Sequence, residues 1–234
     1  MKKNFFKNKI SKSFAKKWHK FKIFNKRKGW LAYHGIERSG SNFLCACLMH
    51  NNIDIINLYT KPSKNSTYPQ HKHFRWYEDK SRIPSFRTRF YNDLKPKNIF
   101  ELNKICKYPS DTCHVIIRKK HAEAVASIMN HGIRMGWFTS RKNALEEIES
   151  ISNDYLSYYN FWEGMQTRFP HMVKIIDHKE LIKSSSPIKE LIQAFKLHFK
   201  GKIPEKYHFD RVEQSRVDRK VYYNADDIKH YLKK

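Results

Sequence analysis

Residues 30–49 pass from a short apolar run through a glycine-bounded loop into a second apolar run, and few architectures accommodate that succession. Trp30-Leu31-Ala32-Tyr33-His34 predicts a buried strand, and residues 41–49 predict a helix. Between them stands Gly35-Ile36-Glu37-Arg38-Ser39-Gly40. In a parallel α/β domain, the turn after the first strand lies at the carboxyl edge of the sheet, where ligands bind. The following helix offers unpaired N–H groups and the positive end of its dipole, a setting that favours phosphate. Gly35 and Gly40 permit tight turning, Ser39, Ser41 and Asn42 supply hydrogen bonds, and Arg38 supplies a planar cation able to grip two oxygens. The two glycines have the spacing of the nucleotide-triphosphatase loop, but Ser41 stands where that loop has Lys. The cation lies inside the loop instead, at Arg38, which argues against an ATPase or a nucleotide kinase.

Further along, Ile53–Leu58 predicts a second strand and residues 60–72, with Pro62 and Pro69, a loop. Residues 73–112 read as loops with short helices. Cys113-His114-Val115-Ile116-Ile117-Arg118 predicts a buried strand, followed by a helix over 122–130 that stops near Gly132. A long helix over 143–168, a strand over 172–177, a helix over 187–199 and a final helix near 226–232 complete the pattern. Strands alternating with helices predict an α/β fold, here a three-layer P-loop-type domain with a central, mostly parallel sheet flanked by helices. That domain spans residues 29–234.

Residues 1–28 have a different texture. They hold 11 Lys and Arg27 with no acid, and so carry +12 of the chain's formal +25. Phe6, Ile10, Phe14, Trp18 and Phe21 fall on one face of a helix, with Lys on the others. Such a basic amphipathic extension suits peripheral contact with an anionic membrane or a polyanion, or docking on the domain's own core. The chain contains no apolar stretch long enough for a transmembrane helix and no signal-peptide pattern, so the expected location is cytoplasmic or peripheral to a membrane. Four Cys are too few for a disulfide scaffold, and no spacing resembles a metal site. A core is assured by 40% hydrophobic residues.

Arg38-Ser39-Gly40-Ser41-Asn42-Phe43-Leu44 resembles the 5′-phosphosulfate loop of sulfotransferases that use 3′-phosphoadenylyl sulfate (PAPS) as donor. The resemblance implies that Arg38, Ser39, Gly40, Ser41, Asn42 and Phe43 line the donor site. That family carries a second signature, a strand ending in Arg followed by a Ser on the next helix, which together hold the nucleotide's 3′-phosphate. Arg118 and Ser127 are similar to it. The usual separation is eight residues, whereas Arg118 to Ser127 is nine and Lys119 to Ser127 eight, so Arg118, Lys119 or both are candidates. Residues 173–181 resemble a late strand of the family and are read as scaffold.

The resemblance implies sulfuryl transfer to a hydroxyl or amine acceptor, with a glycan as the acceptor class and no metal. Arg38 is the candidate for the leaving phosphate. The acceptor needs a general base, and the run Gln70-His71-Lys72-His73 lies in the interval where the family carries one. His73 is the favoured base, with Lys72 assisting the sulfuryl oxygens, and with His71, Glu78 and Asp79 as rivals. Glu37, inside an anion loop, has no role in this reading. Arg211, Arg216, Arg219 and Lys220 are expected to form a solvated charged face. The alternative class is a basic nucleic-acid- or membrane-binding protein on a degenerate P-loop scaffold. The charge concentrates in residues 1–28 and the aromatics suit a core, so no specific nucleic acid is expected.

Overall fold

A computed structural model describes residues 30–57, 72–73, 75–76, 91–92, 95–209 and 220–233. The basic extension, His71, Glu78, Asp79, Arg211, Arg216 and Arg219 lie outside the described residues. The protein is α/β, with a small parallel sheet and, among the described residues, eight helices.

Strand β1 (Leu31–His34) is buried along its whole length, as a parallel strand covered on both faces must be. It pairs in parallel with β4 (Cys113–Arg118), which pairs in parallel with β5 (Val173–Asp177). The order is therefore β1-β4-β5. Two two-residue strands, β2 (Arg75–Trp76) and β3 (Tyr91–Asn92), form a separate parallel pair. Alternate residues of the three-stranded sheet enter two apolar clusters. Leu31, Tyr33, Val115 and Ile117 pack with helix α1 (Ser41–His50), α6 (His178–Lys183) and α7 (Ser186–Phe195). Ala32, Ile116 and Val173 pack with α2 (Ile99–Ile105), α3 (His121–Arg134), α5 (Ile148–Arg168) and α8 (Ala225–Tyr231).

The expected strand near 53–58 reduces to one bridge, Leu31 to Ile55. The Asn57 side chain ends the pairing by itself. Its Oδ1 accepts from the Tyr33 amide at 3.1 Å and its Nδ2 donates to the Tyr33 carbonyl at 2.8 Å, replacing the next ladder residue. Helix α3 does not stop at Gly132. It continues to Arg134 and ends where Gly136, at φ 67°, lets the Trp137 amide reach the Gly132 carbonyl at 2.8 Å. The single helix expected over 143–168 is two, α4 (Arg141–Glu146) and α5, with the break at Glu147. Ser140 caps the first by accepting from the Asn143 amide. The turn lets Ala144 and Ile148 enter the same core. Helix α7 stops at Phe195, four residues short of expectation, because Lys196 turns left-handed at φ 49°. All four cysteines are free thiols.

Beneath β1 and β4 lies a buried polar chain. The Asn103 side-chain amide donates to the carbonyls of Ser110 and Thr112 at 3.1 and 3.2 Å. Its Oδ1 is thereby an acceptor, so His114 Nε2 carries the proton in their 2.8 Å bond. His114 Nδ1 must then accept from His34 Nε2 at 2.9 Å. Both rings are neutral, and His34 stacks on Trp162 with centroids 4.9 Å apart. Burial pushes the His114 pKa down to about 3, and burial, then the His114 neighbour, push His34 well below its ordinary value. The unfolded chain takes up these protons near 6.5, whereas folded His114 resists until about 3. Acid therefore favours unfolding in that window. Denaturant titrations should show stability falling by about 1.4 kcal/mol per pH unit as His114 passes through that window, with His34 adding a loss in the same direction. A flat profile down to pH 4.5 would contradict the neutral pair.

Candidate functional site

Residues 35–40 turn the chain from β1 into α1 at the carboxyl edge of the sheet. Two of its residues are left-handed, Arg38 at φ 66° and Gly40 at φ 100°. Arg38, which has a Cβ, holds this conformation at a cost that the surrounding contacts offset. Gly40 has no alternative. A Cβ there would lie 2.1 Å from Cδ2 of His178, whose ring packs directly on the loop. At Gly35 a Cβ would lie 2.4 Å from Ser39 Oγ and 2.8 Å from Ile117 Cγ2. Thus Gly35 serves close approach between the loop and the sheet, and Gly40 between the loop and the start of α6.

The loop's amides divide into two groups. Ser39 N donates to Ile36 O at 3.1 Å and Phe43 N to Gly40 O at 2.9 Å, so these are engaged. The amides of Ser41 and Asn42, at the first two helical positions, have no acceptor within the helix, and the Gly40 cap has no side chain to supply one. They are the donors available to an anion.

The side chains divide as well. Ser39 is fully buried, and its hydroxyl faces Ile117 rather than the mouth of the loop. The Tyr159 hydroxyl is its polar neighbour but donates to the Ile117 carbonyl at 2.8 Å, and Ser39 Oγ makes no hydrogen bond of sound geometry. Phe43 belongs to the core, edge-on to Phe209 with centroids 5.5 Å apart. Asn42 is exposed and accepts from Lys72 Nζ. Arg38 is half-buried.

The segment carrying Lys72 and His73 docks on this loop. Gly35 N donates to Lys72 O at 3.0 Å, and His73 Nδ1 bonds Gly35 O at 2.5 Å. A carbonyl only accepts, so Nδ1 carries the proton and Nε2 is the lone-pair nitrogen of neutral His73. Lys72 lies over the Tyr33 ring, its Nζ 5.7 Å from the centroid, and burial lowers its pKa. A cation thus meets α1 at Asn42, the residue after the position that lacks Lys in the sequence motif.

Glu37 turns away from any such anion. Its carboxylate meets Arg75 end-on, Oε2 to Nη2 at 2.5 Å and Oε1 to Nη1 at 3.4 Å. Arg75 Nε lies 2.9 Å from Asp154 on α5, and Nη1 donates to the His73 carbonyl at 2.9 Å. The guanidinium covers the Tyr158 ring at 5.5 Å and is buried with both acids.

The second motif is less gathered. Arg118 ends β4 beside Asp177 of β5 and pairs with Glu163 of α5. Its charge is therefore already partly matched. Lys119 is half-buried, and its carbonyl accepts from Tyr155 at 2.6 Å. Ser127 is half-buried on the second turn of α3 and makes no polar contact with Arg118. Conversely, the segment read as scaffold reaches the loop through His178. Sequence reasoning passed over Arg75, Asp154 and His178; the one available signal was Glu37, an acid in an anion loop that required a buried cation.

Among the described residues, no group of three or more His, Cys, Asp or Glu could hold a metal ion, and no helix is long and apolar enough to cross a membrane. No protein-family model matches the chain, and no curated protein and no solved structure is similar enough to count as a match.

Gly40→Ala should lower stability by about 1–3 kcal/mol through its left-handed backbone and the ring above it. Thermal melts of Gly40→Ala, His178→Ala and the double variant check the contact. The double variant should lose less than the sum of the single losses; strict additivity would mean that the ring does not oppose the new methyl group.

Proposed function

We propose that the protein is a PAPS-dependent sulfotransferase acting on a hydroxyl or amine, with a glycan as the acceptor class. The observation that carries this reading is the docking of Lys72 and His73 onto the β1–α1 loop. It brings a cation to the Asn42 side chain, at the start of α1, and holds an imidazole on the Gly35 carbonyl, although the partners lie some 30 residues or more apart in the chain. Two apolar clusters on alternate sheet residues are also what a three-layer P-loop-type domain requires.

The donor supplies a sulfuryl group on an anhydride bond whose cleavage leaves charge on a phosphate. The chain's residues fit that end of the donor. The Ser41 and Asn42 amides and the α1 dipole face the leaving phosphate, and Arg38 and Lys72 balance the charge that develops there. His73 Nε2 takes the acceptor's proton as the acceptor oxygen or nitrogen bonds to sulfur and the bridging S–O bond breaks with its electron pair to the phosphate. Gly35 O holds the other ring nitrogen protonated, which keeps the basic atom at Nε2 throughout. Ser39 and Phe43 support the loop from within. For the 3′-phosphate, Arg118, Lys119 and Ser127 are the candidates, and Arg118 must exchange Glu163 for the phosphate.

Adenosine 3′,5′-bisphosphate at 100 times its Kd should raise stability by about 2.7 kcal/mol, with a much smaller effect from ATP. Equal shifts that vanish in moderate salt would instead favour a generic polyanion binder on this scaffold. Arg38→Ala and Lys72→Ala should each weaken the bisphosphate by about tenfold, in keeping with a lost charge-assisted bond. His73→Ala should abolish transfer of labelled sulfate to acceptor while leaving bisphosphate affinity intact. Transfer that survives this change would remove His73 from the mechanism.

A further inference from the structure

The contacts around Arg75 close a ring. His73 Nδ1–H bonds Gly35 O; the His73 carbonyl accepts from Arg75; Arg75 grips Glu37; and Glu37 is two residues along the loop from Gly35. The imidazole is therefore fixed at its ring nitrogen by one loop residue and at its backbone by a guanidinium that the same loop holds. Asp154 ties this ring to α5, a helix of 21 residues in the main core. The parts are rigid for a physical reason. A planar guanidinium shared between two carboxylates, a carbonyl and an aromatic face has one orientation that satisfies all four, and none of these partners is a mobile surface group.

We propose that Arg75 is a positioning residue for His73, holding its Nδ1–H on the Gly35 carbonyl so that Nε2 keeps the lone pair. Its catalytic meaning rests on the reading of His73 as the base; its effect on the ring does not. Arg75 touches no reacting atom. It acts by fixing the separation between the loop and residues 72–73, so that the proton acceptor and the phosphate grip share one frame. A free imidazole favours the opposite tautomer, so the arrangement costs free energy that this ring of contacts must offset.

The test uses the full chain with ¹⁵N-labelled histidine, and NMR to read each ring's tautomer. Arg75→Lys keeps the charge but loses the fork. Removing one partner of a buried ion cluster can prevent folding. Glu37→Gln therefore serves as the second variant, because it keeps the shape and leaves Arg75 with Asp154 as a one-to-one pair. The His34 and His114 signals report whether the core is intact. In the unaltered protein His73 should be a single Nδ1–H species. In folded variants it should become a mixture enriched in Nε2–H, with kcat for sulfate transfer down at least tenfold and bisphosphate Kd within threefold. An Nε2–H ring in the unaltered protein, or an unchanged His73 ring in folded Glu37→Gln and Arg75→Lys, overturns the proposal. If the unaltered protein transfers no sulfate, the sulfotransferase reading falls, and the tautomer measurement alone still decides the role of Arg75.

Discussion

One buried guanidinium connects the three parts on which the site depends. Arg75 meets the loop through Glu37, the Lys72–His73 segment through a carbonyl, and the core helix α5 through Asp154. Buried charges are tolerated only when paired and hydrogen-bonded, and here each carboxylate has the cation within 3 Å. Without this cluster, Glu37 would be an uncompensated anion in a loop suited to bind anions. With it, the negative charge is withdrawn beneath the loop, and its outer face keeps the amides of Ser41 and Asn42 and the cation of Lys72.

Below that cluster the interior is polar in an unusually ordered way. Asn103, His114 and His34 form a chain of fixed tautomers under the last residue of β1, against Trp162. Burial keeps both imidazoles neutral. Their effect on function is indirect: the chain anchors the strand end from which the loop departs. The aromatic rings of Tyr155, Tyr158 and Tyr159 continue the same wall along α5, with Tyr159 bonded to the β4 carbonyl of Ile117. The loop therefore rests on these interlocked rings as well as on the Ile117 side chain.

Local patterns in the sequence were sufficient for β1, α1, β4 and β5, because each is a mainly apolar run with a glycine or a polar residue at its ends. They failed at boundaries that a distant side-chain contact or a single left-handed residue set. Asn57 ended a strand by pairing with Tyr33, and Gly136 rather than Gly132 ended α3. In the candidate site, Arg38, Gly40, Ser41 and Asn42 were legible as the turn from β1 into α1 from residue type and spacing. Ser39 and Phe43 were legible as members of that loop, but nothing local said that their side chains would turn inward. Whether a residue beside a loop faces solvent or core depends on what packs under it, here Ile117 and Phe209.

The order of residues 31–49 alone determined that a strand would hand over to a helix through a glycine-bounded loop. Glycine positions and helix-start chemistry are local properties, so they can be read one segment at a time. Only the tertiary structure decided which cation meets Asn42, which nitrogen of His73 keeps its lone pair, and why Glu37 is tolerated. Each of those answers needs two groups some 30 or more residues apart to meet at hydrogen-bond distance. That meeting is set by burial and packing across the whole domain.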